Sequence, residues 1–115
     1  MSDLNHITDD NELIEHMPTV ETIKTVAEAM KQLGDPSRLR IFWLLCHCEE
    51  CVINIAAATE MTSPAVSHHL RLLKSAGLII SSRKGKEMYY RAADTEIVLK
   101  LHHTIEDIAR ITCPK

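Results

Sequence analysis

Apolar positions recur at helical spacing through the first half of the chain. Between Thr19 and Gly34 they fall three or four residues apart, which predicts an amphipathic helix with Thr19 as its N-cap and Gly34 at its end. Asp35 and Pro36 predict the start of a second helix, because Asp caps helices well and Pro suits the first turn. After a cysteine-rich turn, residues 52–59 predict a short third helix.

The pattern continues into a fourth helix close behind the third. Thr62 or Ser63 can cap this helix, Pro64 can sit in its first turn, and Gly77 ends it. Two short helices joined by a tight polar turn form a helix-turn-helix, which we expect over about 52–76.

Alternating strands follow. Residues 78–91 predict a β-hairpin with Gly85 in its turn. A last amphipathic helix, capped by Asp94, is predicted over 94–111. The expected fold is mainly α with a small β-hairpin, a winged helix-turn-helix with extra N- and C-terminal helices. We expect a flexible arm over 1–18, or a short helix that packs on a partner, and one winged domain over 19–112.

Length and composition are compatible with this single domain. The chain has 115 residues, 45% of them apolar, and no apolar run near the length of a membrane span. The acidic N-terminus is unlike a signal peptide, so we expect a cytoplasmic protein that does not enter a membrane. Four cysteines in a reducing compartment favour free thiols, metal ligands or redox sensors over a disulfide framework.

The charge is unevenly distributed. Residues 1–61 carry 4 basic and 11 acidic side chains, whereas residues 62–91 carry 6 basic side chains and one acidic side chain. A local basic patch on an otherwise acidic protein indicates nucleic-acid binding.

The helix near residues 63–76 has the composition of a DNA-reading helix. Val66, Leu70 and Leu73 form its inward stripe, and Arg71 lies on the opposite side, where it can reach guanine edges or phosphate. His69 lies nearer the core and is expected to brace the fold or a phosphate. The candidate DNA-binding residues on this helix and on the hairpin tip are Ser63, Ala65, Ser67, His68, His69, Arg71, Lys74, Arg83, Lys84 and Lys86.

Three segments resemble the ArsR/SmtB family of repressors. The stretch LGDPSRLRI at 33–41 is similar to the family's opening motif, and SPAVSHHLRLL at 63–73 is similar to its recognition helix. Residues 83–91 resemble its wing, and the match runs in unbroken order over about 20–111. The resemblance implies a homodimer with its terminal helices at the interface, bound to an inverted-repeat operator in double-stranded DNA and released by an effector.

A cysteine cluster lies between the second helix and the helix-turn-helix. Cys46, Cys48 and Cys51, with His47 among them, can place thiolates on Zn(II), Cd(II), Pb(II), Cu(I) or As(III). Arsenic- and cadmium-type members of the family carry two cysteines in this region, but the second is replaced here by Ile53. Cys46 and Cys48 can compensate, and Cys113 can join from the C-terminal end.

A second, weaker metal site is suggested by the last helix, where zinc and nickel sensors of the family bind their ions. Its residues here are Asp94, Glu96, His103 and Asp107, the last three on one helical face. His102 is predicted to point elsewhere, and Arg110 is a poor neighbour for a cation. The alternative interpretation is a solvated face of salt-bridging charges.

The sequence has no Gly-rich phosphate loop, G-x-S-x-G elbow or H-E-x-x-H motif, so we do not expect an enzyme. A thiol-based redox or sulfur-responsive repressor of the same fold is the main alternative, because closely spaced thiols can form disulfides. A DNA-binding or protein-interaction module without an effector is the third.

Overall fold

A computed structural model describes residues 10–110. This part of the chain contains six helices and a three-stranded sheet. In chain order the elements are α1 (Asp10–Glu15), α2 (Val20–Leu33), α3 (Pro36–Leu45), β1 (Glu50–Cys51), α4 (Val52–Thr59), α5 (Ser63–Ser75), β2 (Ile79–Lys84), β3 (Glu87–Ala92) and α6 (Glu96–Ala109). The predicted winged helix-turn-helix fold is therefore present, with additional helices before and after it.

Side-chain caps set where the helices begin. Thr19, Asp35 and Thr62 each accept a hydrogen bond from a backbone N–H three residues on, as their positions in the sequence predict. The expected cap of the last helix is wrong by one residue. Thr95 caps α6, because the Asp94 carboxylate instead accepts from the Arg91 guanidinium at 2.8 Å.

One core fixes the rotation of α5. Val66, Leu70 and Leu73 are buried, as the helical spacing predicts, and they join Ile41 and Phe42 of α3 in the same apolar cluster. Helical geometry then determines which residues of α5 lie on the opposite, solvent-facing side.

The wing has one strand more than the sequence indicates. The sheet order is β1-β3-β2, and all neighbouring strands are antiparallel. The added strand β1 pairs Glu50 with Tyr90 and Cys51 with Tyr89. The hairpin turns at Gly85, which has a φ of +66°, a conformation that glycine adopts without a Cβ penalty. The pairing of β1 attaches the cysteine-rich turn to the wing.

The outer helices leave apolar side chains exposed in this single chain. On α2 these include Val20, Ile23 and Met30, and on α6 they include Leu99 and Ile108. A groove of about 370 Å³ runs between the two helices.

The N-terminal segment is described only from residue 10. All residues of α1 are exposed, and the preceding part of the arm lies outside the described residues. Among residues 10–110 we find no helix with the length and apolar character needed to span a bilayer.

Candidate nucleic-acid interface and sensing site

The outward side of α5 carries hydrogen-bonding and cationic groups. Ser67, His68, Arg71 and Lys74 are all exposed. Ser63 is also exposed in the first turn, whereas Ala65 is half-buried. The face therefore combines side chains of the kinds that can contact base edges with side chains of the kinds that can contact phosphates.

Local hydrogen bonds organise two of the cations. Arg71 Nη2 lies 3.1 Å from His68 Nδ1. Because a guanidinium can only donate, Nδ1 accepts, and the His68 proton lies on Nε2. Lys74 Nζ donates to Ser81 Oγ at 2.8 Å and thereby joins α5 to β2. The recognition helix and the wing are thus connected by a direct side-chain contact.

His69 connects α5 to the helix beneath it. Its Nδ1 lies 3.1 Å from Arg38 Nη1, and Arg38 Nε donates to the Gln32 carbonyl at 2.9 Å. Burial lowers the pKa of His69, the Arg38 charge lowers it further, and Asp35 opposes the shift. The structure places His69 as a neutral brace between α5 and α3.

The wing presents three exposed cations, Arg83, Lys84 and Lys86. Lys84 also pairs with the Glu49 carboxylate, which accepts a second hydrogen bond from Ser82 Oγ at 3.3 Å. The bond from Lys84 holds the pKa of Glu49 below its usual value. An acidic residue of the cysteine-rich turn therefore neutralises a wing cation.

The thiols of this turn occupy different surroundings. Cys46 and Cys48 are half-buried, whereas Cys51 is buried in β1 and only 6% exposed. Cys48 Sγ donates to the Leu44 carbonyl at 3.5 Å. Burial raises the pKa of Cys48, and the Glu50 charge adds to the shift.

The three thiols do not form a three-ligand group among residues 10–110. Cys113, the fourth predicted ligand, lies outside the described residues. The proposed thiolate site therefore remains a prediction, and its ligands are not assembled in this structure.

The second predicted metal set is also dispersed. Asp94 pairs with Arg91, and Glu96 pairs with Lys100 at 3.8 Å. The other two members, His103 and Asp107, are exposed, and within the described part of the chain no three of the four residues converge on one point.

A different group of side chains does converge. His47, from the turn after α3, meets His102 and Glu106 of α6, and one ligand atom from each lies within 4.8 Å of the others. The sequence interpretation had His102 pointing elsewhere and did not include Glu106. Their spacing of four residues on one helix was an available signal, but nothing local indicated that His47 would join them.

Comparison with known proteins identifies the fold and the family. The model of the family "Bacterial regulatory protein, arsR family" matches residues 35–81, from the start of α3 into β2. A transcriptional repressor SmtB homolog of Synechocystis is 35% identical over 104 residues, which are 90% of this chain and 78% of that protein. The chain belongs to the ArsR family. It is therefore a transcriptional repressor of the winged-helix type and not an enzyme.

A regulator of cadmium resistance and a solved winged-helix domain are also similar to this chain. A cadmium resistance regulatory protein, the CadC homolog of Staphylococcus aureus, is 37% identical over 73 residues, or 63% of this chain and 60% of that protein. A homodimeric winged helix-turn-helix DNA-binding domain from Mycobacterium bovis is 33% identical, with a TM-score of 0.71 over 90% of this chain and 88% of that one. The chain thus spans only part of the cadmium regulator.

Proposed function

We propose that this ArsR-family protein is a homodimeric repressor that binds an inverted-repeat operator and leaves it when a soft metal or metalloid ion binds. The observation that carries the proposal is the exposed face of α5, with Arg71 at its centre and the cationic wing joined to it through Lys74 and Ser81. A basic helix with a buried opposite stripe suits the major groove, and a cationic hairpin suits the flanking backbone.

The residues have different tasks in this proposal. Arg71 reads a base edge, with Ser67 and His68 beside it, because guanidinium groups bind guanine in a two-pronged manner. Ser63 and the backbone around Ala65 approach a phosphate at the start of α5. Lys84 and the other wing cations contact phosphates without regard to sequence.

The homodimer is supported by the apolar surface of the outer helices. Val20 and Met30 on α2 and Leu99 on α6 are more than half exposed in the single chain, which favours their burial against a second copy. The related domain from Mycobacterium bovis is homodimeric. A two-fold dimer presents two α5 helices to half-sites about one helical turn apart.

The effector is supported by the relatives and by the thiols. Among the relatives is a regulator of cadmium resistance, and Cys46, Cys48, Cys51 and Cys113 offer the sulfur donors that Cd(II), Pb(II), As(III) and Zn(II) accept. Metal binding deprotonates a thiol as it coordinates it, so a soft ion would displace the proton that the raised pKa of Cys48 retains.

Fluorescence anisotropy with a labelled DNA fragment from upstream of the gene tests the proposal. The reduced, metal-free protein should bind this fragment more tightly than a random duplex, and Cd(II), Zn(II), Pb(II) or As(III) should weaken the binding. Cys51→Ser and Cys48→Ser should remove the response to the soft ions and leave the metal-free affinity unchanged. A protein that ignores every ion but releases DNA on oxidation would be a redox sensor, and one that never binds DNA would overturn the proposal.

A further inference from the structure

We propose that His47, His102 and Glu106 form a binding site for a divalent transition ion of the Zn(II) class, separate from the thiols. The site joins the turn after α3 to α6. Ion binding at this site is inferred from the positions of these three side chains alone. Its effect on DNA binding rests on the function proposed above.

The spacing of the ligand atoms fits a tetrahedral ion. His47 Nε2 lies 3.1 Å from His102 Nε2, and these nitrogens lie 3.4 Å and 3.3 Å from Glu106 Oε2. Zn–N and Zn–O bonds of about 2.0–2.1 Å at tetrahedral angles separate neighbouring ligand atoms by about 3.3 Å. The three atoms therefore form one nearly equilateral face of a coordination tetrahedron.

Protonation gives a second reason to place a cation here. The two imidazoles face each other through Nε2, so only one of these nitrogens can donate in their contact at 3.1 Å. The nitrogen that accepts in this contact and the Glu106 carboxylate both direct lone pairs into the cluster. An ion would replace the remaining Nε2 proton, so that all three atoms donate electron pairs to the metal.

The site is sheltered but still reachable from solvent. The side chains of His47, His102 and Glu106 are 16%, 12% and 11% exposed. The ring of Trp43 closes one side, with its centroid 4.3 Å from that of His47. A cavity of about 790 Å³ borders both histidines, so solvent can occupy the fourth coordination position.

An ion at this position would connect α6 to the turn that contacts the wing. His102 and Glu106 belong to α6, whose apolar residues we place at the dimer interface. His47 lies two residues before Glu49, which holds Lys84 of the wing. Fixing His47 to α6 therefore restrains the turn that contacts the wing.

Cobalt is a suitable probe, because tetrahedral Co(II) absorbs visible light strongly. The reduced full chain is titrated with Co(II) without DNA, while absorbance and the fluorescence of Trp43, the only tryptophan, are recorded. Both signals should change in parallel, and Zn(II) should displace the cobalt. The variants are His102→Gln and Glu106→Gln, with His103→Gln on the exposed side of α6 as the matched control. Cys48→Ser tests the separation from the thiols.

We expect His102→Gln and Glu106→Gln each to weaken Co(II) binding by at least about a hundredfold, since even the loss of an outer-shell partner costs about 10–100-fold. The variants His103→Gln and Cys48→Ser should retain the tetrahedral Co(II) absorption that His102→Gln and Glu106→Gln lose. Circular dichroism of the metal-free variants confirms that they fold. The site is overturned if His102→Gln binds Co(II) as the wild type does, or if Cys48→Ser abolishes the signal while His102→Gln does not.

DNA affinity is measured separately, with and without Zn(II). Loss of DNA binding in the metal-free wild type would refute the proposed function and leave the ion site standing. Normal DNA binding combined with no tetrahedral Co(II) spectrum would refute the ion site alone.

Discussion

Replacing Lys84 with alanine removes a wing cation that Glu49 already holds in the free protein. If each wing of the dimer uses Lys84 to neutralise one phosphate, the variant loses two phosphate contacts per dimer. Each contact contributes about 0.9 to the slope of log affinity against log salt concentration, so the slope should become less steep by about 1.8. Between about 50 and about 200 mM salt, the wild type should therefore lose about twelvefold more affinity than the variant.

Glu49→Gln tests the contact between Lys84 and Glu49 by removing the negative charge of the acidic partner. In the wild type a phosphate must compete with the Glu49 carboxylate for Lys84, and the negative charge also repels the DNA backbone. The variant should bind specific and random duplexes more tightly by a similar factor. It should do so without changing the order of preference among sequences, because phosphate contacts carry no direct sequence information.

Anisotropy titrations over a series of salt concentrations measure both effects. Lys31→Ala is the matched control, since it removes an exposed cation from the last turn of α2, outside the proposed DNA interface. An unchanged salt slope in Lys84→Ala would show that this lysine contacts no phosphate. Weaker DNA binding in Glu49→Gln would show that Glu49 orients Lys84 for DNA and does not compete with it.

Three further outcomes are expected. In the same assay, Arg71→Ala should reduce the preference for the operator over random DNA by about 1–3 kcal/mol for each protomer's base contact. An equal loss of affinity for both duplexes would exclude a base contact by Arg71. Leu70→Ala should lower the free energy of unfolding, measured by urea denaturation, by about 2–5 kcal/mol because Leu70 is only 2% exposed. A change below about 1 kcal/mol would show that the neighbouring core residues fill the space left by the removed side chain. The lowered pKa of His69 means that the folded state favours its neutral form, so its contribution is complete above the ordinary value of 6.5 and is lost as pH falls below it. The unfolding free energy of the wild type should thus fall more steeply between about pH 7.5 and 5.5 than that of His69→Gln, and parallel curves would contradict the assignment.

The helical parts of the fold follow from local patterns. The stripe of Val66, Leu70 and Leu73 was predictable because helical periodicity alone assigns those positions to one face. The boundary at α6 was missed by one residue because Asp94 and Thr95 are both good caps, and the local sequence does not distinguish them. β1 was missed because a two-residue strand has no periodicity of its own and exists only through its pairing with β3.

The candidate sites, too, were predictable only where their residues lie on one element. The basic face of α5 was predictable, since charge and spacing are read along one element. The cluster of His47 and His102 was not, because 55 residues separate the two and only tertiary packing brings them together. Cysteines adjacent in sequence were expected to meet in space, but β1 buries the Cys51 side chain and Cys46 packs against the core.

The pairing of β1 with β3 restricts how any signal can reach DNA. Together with the contact between Lys74 and Ser81, it connects the cysteine-rich turn, the wing and the recognition helix of one chain into one body. A ligand that acts on the dimer would then change the distance and angle between two such bodies, and each would still read its own half-site as before. We therefore expect induction to alter which half-site spacings are tolerated, whereas the preferred bases within a half-site stay the same.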